Sequence, residues 1–345
     1  MRLFFSIIYF LFFSISFSQS KSAKFQFLFE GKTLDGVLNV PQTQEPRGIV
    51  LFVHGSGRTN AVAQNWYSDI RQTLNQNGYT TYMWDKMGCG NSEGVFNYNQ
   101  SVQNSALEVL AAITALKKSK IEGAENIGFW GISRAGWIIP LVINQYPDTA
   151  FWISASGVDS KENFKYLLQE NLKIKGRDSD YVELIVNEWQ NGLEITHKGG
   201  SIEKYLKATQ NLRKSKFLLR FNNNQKLTEV DYKEFQQTLM KQKLDEDSGL
   251  PIYINNFDKI LKNISCPVLA LFGETDKNVD WKKTKELYQQ TLERNTDLTI
   301  ISFKNCNHNL FQCKTGGFFE FEDDNLPWVR CENLLEEMSN WLRAL

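Results

Sequence analysis

Histidine is scarce in this chain, with three copies in 345 residues. No Cys/His grouping has the spacing of zinc ligands, so the sequence offers no metal site. Charge of one sign is missing as well, because 39 Lys and Arg balance 39 Asp and Glu. No net field then draws nucleic acid, an anionic membrane or a charged polymer to the surface, and a small or neutral substrate fits better. Cysteine is sparse, and its five copies (Cys89, Cys266, Cys306, Cys313, Cys331) cannot all pair within one chain. None lies near the start, where a lipid anchor would attach, and no internal repeat is visible.

The opening Met1-Arg2 is followed by an apolar, aromatic stretch from Leu3 to Phe17, interrupted by Ser6, Ser14 and Ser16. A positive start, a short apolar segment and small residues at Ser16 and Ser18 predict a signal peptide over 1–18. The stretch is shorter than the ~20 residues of a spanning helix. The expected mature protein starts near Gln19, is exported to the periplasm or beyond, and has no stable membrane association. In that oxidising compartment Cys313 and Cys331, which flank a Gly-rich and acidic segment, are the first candidate disulfide pair.

Further along, β-branched runs bounded by turn residues alternate with helical stretches, the pattern of a mostly parallel sheet covered by helices. Phe25 to Glu30 and Gly36 to Val40 read as an opening hairpin, and Gly48 to Val53 as a strand buried on both faces. Tyr79 to Asp85, Asn126 to Trp130, Ala150 to Ser154, Pro267 to Phe272 and Leu298 to Phe303 repeat the theme. Ser101 to Lys117, Ala135 to Gln145 and Trp281 to Leu292 carry apolar residues at three- and four-residue intervals and read as helices. From 161 to 263 the sequence turns polar and helical in pattern, too long for a structureless loop. The expectation is a core in two parts, 19–160 and 264–345, with a helical lid between them. The lid's aromatics (Phe164, Tyr166, Trp189, Tyr205, Phe217, Phe221) are expected mainly as packing residues.

Ser133 lies in Gly131-Ile132-Ser133-Arg134-Ala135-Gly136, between a strand-like and a helix-like segment. Small residues suit the sharp turn that exposes a nucleophilic serine. A serine needs a base to take its proton. His54 ends a buried strand and shapes a loop, and His197 falls in the polar insertion. His308, on the loop after the last strand, is where a C-terminal base belongs. The orienting carboxylate should lie between serine and histidine in chain order. The segment Leu271 to Asp280 offers Asp276 as first choice, with Glu274 and Asp280 as competitors. The loop His54-Gly55-Ser56-Gly57 suits an oxyanion hole, one donor being the Ser56 amide and the second the Arg134 amide. For the Arg134 side chain, a surface ion pair is expected before a substrate carboxylate.

With these pieces in order, the chain resembles the α/β-hydrolase superfamily across nearly all of its expected mature length. The run Gly131 to Pro140 and then Tyr146 to Gly157 is similar to bacterial esterases related to the serine aminopeptidase and prolyl-oligopeptidase groups. Asp85-Lys-Met-Gly-Cys-Gly-Asn-Ser92 resembles the family's Asp-x-Arg-Gly-x-Gly-x-Ser turn, with Met87 in place of arginine. His308 to Gln312 resembles the family's segment at the base. The resemblance implies an eight-stranded α/β-hydrolase fold, a triad of Ser133, Asp276 and His308, an acyl-enzyme pathway and no cofactor. The expected function is hydrolysis of a carboxylic ester. The alternative is an exported serine aminopeptidase or dipeptidyl-peptidase-like enzyme, whose substrate amine would need a lid acid such as Glu162, Glu170 or Glu194. A third reading keeps the fold as a non-catalytic binding protein.

Overall fold

The computed structural model describes residues 21–42, 45–222 and 225–345, and the expected signal peptide lies outside them. The chain opens with β1 (Lys21–Phe29) and β2 (Lys32–Val40), an antiparallel hairpin. Strand β3 (Gly48–Val53) follows, then helix α1 (Ser68–Gln76), β4 (Tyr79–Trp84) and α2 (Val102–Lys118). Next come β5 (Ile127–Ile132), α3 (Ala135–Gln145) and β6 (Thr149–Ala155).

A helical segment then carries α4 (Phe164–Ile174), α5 (Ser179–His197), α6 (Ile202–Ala208), α7 (Lys216–Phe221) and α8 (Glu229–Leu239). The short strands β7 (Lys243–Leu244) and β8 (Pro251–Ile252) pair, and α9 (Phe257–Lys262) leads back to the sheet. The chain ends through β9 (Val268–Gly273), α10 (Trp281–Thr291), β10 (Leu298–Phe303), α11 (Glu320–Asp323) and α12 (Leu334–Ala344).

Eight strands form one sheet in the order β1-β2-β4-β3-β5-β6-β9-β10. The first three pair antiparallel, and every neighbour from β4 to β10 pairs parallel. This is the mostly parallel eight-stranded architecture expected from the sequence.

Helices on both faces explain the unbroken apolar strands. In β3, Ile49, Leu51 and Val53 join one core cluster with Val109 and Ile113 of α2, Ile139 and Val142 of α3 and Tyr288 of α10. Val50 and Phe52 point the other way, to Ile70 and Leu74 of α1 and Leu334, Met338 and Trp341 of α12. A central strand such as β3 therefore needs apolar residues at successive positions rather than at alternate ones.

The segment between β6 and β9 has a core of its own, in which Leu168 and Leu172 of α4 meet Ile185 of α5 and Phe217 of α7. Of the six aromatics named from the sequence, Phe164, Trp189, Phe217 and Phe221 pack among themselves and Tyr205 packs on Tyr232. By Ile254, Phe257 and Leu261 the chain has rejoined the sheet's main core. Among the described residues no helix is long and apolar enough to cross a membrane.

Candidate active site

In a parallel sheet, side chains meet where neighbouring strands end, at their C-terminal edge. Ser133 follows β5, Asp276 follows β9 and His308 follows β10, so all three leave the same edge. Ser133 takes a left-handed backbone, φ 57°, at the tight corner between strand and helix. That conformation costs a non-glycine residue on the order of 1–3 kcal/mol and persists only where the surroundings enforce it. Here the Ser133 N–H donates to the Ala155 carbonyl at 3.0 Å, and its carbonyl accepts from Gly136 at 2.7 Å.

The small residues around Ser133 are required by close approach. A Cβ on Gly131 would overlap Ile139 and lie 2.7 Å from the Ala135 Cβ. One on Gly136 would stand 2.9 Å from the Val158 nitrogen. Gly55 sits across from the serine, since a Cβ there would lie 3.2 Å from the Ser133 Cβ and 3.8 Å from its Oγ. The loop after β3 thus meets the corner after β5, and the Ser56 amide follows directly on Gly55.

His308 and Asp276 are brought together. The His308 Nδ1–H donates to Asp276 Oδ2 at 2.7 Å, with both residues buried. Asp276 Oδ1 accepts the backbone N–H groups of Asn278 at 2.7 Å and Val279 at 3.0 Å. With Nδ1 committed as donor, the neutral ring presents Nε2 as an acceptor, the tautomer a base requires. The competing acids stand elsewhere: Glu274 is exposed, and Asp280 sits at the N-terminus of α10 facing Lys283.

The other histidines have different partners. His54 is buried, its Nε2–H donating to the Trp84 carbonyl at 3.0 Å and its ring stacked on Tyr67. Burial, aided by the charge of Lys86, pushes its pKa down to about 3, so the ring stays neutral beneath the Gly55 loop. His197 lies in α5 against the Gln242 carbonyl.

The His308 loop is tied down from two sides. Asn307 Oδ1 accepts the N–H groups of Asn309 and Phe311, and the Gln312 and Cys331 amides donate to Val329 and Leu310. A disulfide links Cys306 to Cys331, which corrects the expected Cys313–Cys331 pair and leaves Cys313 as a free thiol. Side-chain alternation is the reason. Cys313 bonds back to Asn305 at 2.8 Å and so shares that residue's side, while Cys306 points to the opposite side, where the Leu310 carbonyl brings Cys331. Spacing along the chain carries no trace of this.

A further correction concerns Arg134, and a second cation, Lys86, enters the site unannounced. Arg134 forms no ion pair among the described residues. Its guanidinium donates to Ser105 Oγ at 3.0 Å and to the Gln100 carbonyl, tying the start of α3 to the start of α2. Lys86, which the sequence marks only as part of a turn, donates from Nζ to the carbonyls of Gly55 and Gly57, the latter at 3.0 Å. A lysine in a turn reads as a solvated charge, and nothing local signals otherwise.

Three lid acids were candidates for a substrate amine. Glu170 is neutralised by Lys173 and Lys277, and Glu194 pairs with Lys198 on an open helix face. Among the described residues Glu162 has no cationic partner. It bonds Tyr253, whose ring lies 4.6 Å from that of Trp137 on α3, and burial raises its pKa. Tyr166 of α4 donates to the Asp276 carbonyl at 3.0 Å, joining the helical segment to the loop after β9. Among the described residues no group of three or more acidic, histidine or cysteine side chains could hold a metal.

The family model described as serine aminopeptidase, S33, matches residues 44–312. No curated protein matches the sequence. Among solved structures, an esterase from Pyrococcus furiosus is similar at a TM-score of 0.52 and 12% identity, over 94% of this chain and 93% of its own. Est1E of Butyrivibrio proteoclasticus, with ferulic acid bound, gives 0.51 and 14% over 93% and 96%. Proline iminopeptidase of Mycobacterium smegmatis gives 0.51 and 16% over 93% and 98%. At such identities the likeness establishes a shared fold.

Proposed function

The chain belongs to the serine aminopeptidase, S33 family of α/β-hydrolases, and we propose that it is an exported esterase that cleaves a carboxylic ester through an acyl-enzyme on Ser133. The observation that carries this reading is the 2.7 Å bond from His308 to Asp276, on loops leaving the same sheet edge as the strained corner that holds Ser133.

In this reading His308 Nε2 takes the Ser133 Oγ proton as Oγ bonds to the ester carbon, and the carbonyl π pair moves onto oxygen. The backbone N–H groups of Ser56 and Arg134 receive that oxyanion, which supplies several kcal/mol in such sites. The imidazolium, stabilised by Asp276, gives its proton to the departing alkoxide as the C–O bond breaks. Water then enters, His308 takes its proton, and the reverse sequence frees the acid and Ser133. Purified protein should hydrolyse short p-nitrophenyl esters, and the Ser133→Ala variant should lose more than ~10³-fold in kcat. Equal turnover by the two proteins would remove the serine from the mechanism.

A second reading, cleavage of an amino-terminal residue, is favoured by one observation: among the described residues Glu162 is the candidate lid acid without a cation. Comparing amino-acyl anilides with simple acyl esters separates the two. Preference for the anilides, lost in Glu162→Gln, would establish the peptidase.

We further infer that residues 161–263 act as a lid governing substrate choice, and that the substrate is a small ester or short peptide rather than nucleic acid. The export assignment is supported by the Cys306–Cys331 disulfide, a feature of oxidising compartments. Detection of the mature form beginning near Gln19 outside the cytoplasm tests it.

A further inference from the structure

We propose that Lys86 is a positioning residue of the oxyanion loop, its ammonium clamping the Gly55 and Gly57 carbonyls so that the Ser56 amide is fixed and polarised toward charge developing at Ser133. The proposal rests on the reading of Ser133 as the nucleophile. It adds a residue outside the triad and outside the two backbone donors.

The geometry is specific. The Gly55 carbonyl and the Ser56 N–H belong to one peptide unit, and in a trans peptide they point in opposite directions. Lys86 Nζ holds the carbonyl end, so the N–H end is turned away from the lysine. The second bond, to the Gly57 carbonyl, fixes the far side of the same loop and prevents the peptide from flipping. Glycines on both sides of Ser56 leave the loop little intrinsic stiffness without a clamp, and Gly57 takes φ 85°, a conformation open to it because it lacks a Cβ. A cation on a peptide carbonyl also draws electron density from the N–H, which strengthens it as a donor.

The surroundings keep this charge unspent. Among the described residues Lys86 makes no ion pair, and its hydrogen bonds go to neutral carbonyls. The charged and titratable groups around it are Arg134 at the start of α3, Glu108 on α2, Cys89 in its own turn and His54 at the end of β3. Glu108 is occupied by the Trp84 and Gln100 side chains, and burial raises its pKa. Arg134 is a second cation, bonded among the described residues to neutral groups. A fixed positive field beside a developing oxyanion favours the transition state over the neutral ester. Burial and the repulsion of Arg134 push the Lys86 pKa down to about 8, so the clamp discharges on the mildly alkaline side.

The test measures kcat and KM of p-nitrophenyl butyrate hydrolysis from about pH 6 to about pH 10 for the parent, Lys86→Met and Lys86→Arg, with thermal melts. The proposal expects Lys86→Met to lose roughly 100-fold in kcat with KM within about threefold. It expects the parent's kcat to fall with a midpoint near pH 8, and Lys86→Arg to retain at least about a tenth of parental kcat without that alkaline fall.

A Lys86→Met kcat within about threefold of the parent's would overturn the proposal, as would a parental kcat that stays flat to about pH 10. Should Lys86→Met fail to fold, the parent and Lys86→Arg profiles decide alone. Ester turnover by Ser133→Ala overturns the nucleophile reading and the Lys86 role together. Labelling of Ser133 with no effect of Lys86→Met overturns the Lys86 role only.

Discussion

Asp276 and His308 lie 32 positions apart, on loops after different strands, and meet through one buried 2.7 Å hydrogen bond. Because the Asp276 carboxylate accepts two backbone N–H groups on its other oxygen, it cannot rotate to serve the ring in another way. Replacing it by asparagine would place an amide N–H opposite Nδ1 and select the wrong tautomer. Asp276→Asn should lower kcat by about 10⁴-fold, with the melting temperature little changed. Steady-state kinetics beside a thermal melt check this, and a variant with near-parental kcat would refute the orienting role.

Gly55 offers a way to disturb the site without disturbing the core. An added methyl would press on the Ser133 Cβ at 3.2 Å and the Ile132 carbonyl at 3.4 Å, tight contacts that a small shift relieves. Gly55→Ala should therefore cost about 1 kcal/mol of stability but at least ~10-fold in kcat, because the shift moves the oxyanion loop against the serine. Denaturant titration and kinetics separate the two effects. A stability loss with unchanged kcat would contradict the placement of that loop.

The fold was largely legible because the central strands are buried on both faces, so the runs at β3 and β9 stand out as bounded and apolar. Helices α1 and α12 were passed over although α12 spaces Leu334, Met338, Trp341 and Leu342 along one face. Of the site, Ser133, Asp276 and His308 could be nominated because strand ends and chain order constrain them. Lys86 could not, since its role depends on carbonyls some thirty residues away. The Cys306–Cys331 bridge was equally hidden, being set by which side of a short antiparallel pairing each thiol occupies.

That bridge spans 25 residues and begins two positions before His308. By loop-closure entropy it should contribute about 3 kcal/mol. The Cys306→Ala/Cys331→Ala protein should melt several degrees lower and lose kcat in excess of KM, because the base is held less firmly. Reductant should reproduce this in the parent and leave the double variant unaffected, which thermal melts with and without reductant would reveal.

His54 predicts an acid-side loss of stability. Its pKa falls from 6.5 in the unfolded chain to about 3 in the fold, so below pH 6.5 the unfolded state takes up a proton that the folded state refuses. Stability therefore falls with pH through the window from 6.5 to about 3, by about 2 kcal/mol at pH 5. His54→Gln removes this term, so its stability should gain on the parent's by that amount between about pH 7 and about pH 5. Parallel pH curves from denaturant melts of the two proteins would show that the ring is not held neutral.

The central claim is that Ser133 is a nucleophile activated by His308, and active-site labelling tests it most directly. A fluorophosphonate probe, located by peptide mass spectrometry, should modify the folded protein once, on Ser133, and should do so far more slowly in His308→Ala. A folded, unlabelled parent protein, or a label on any other residue, would contradict it.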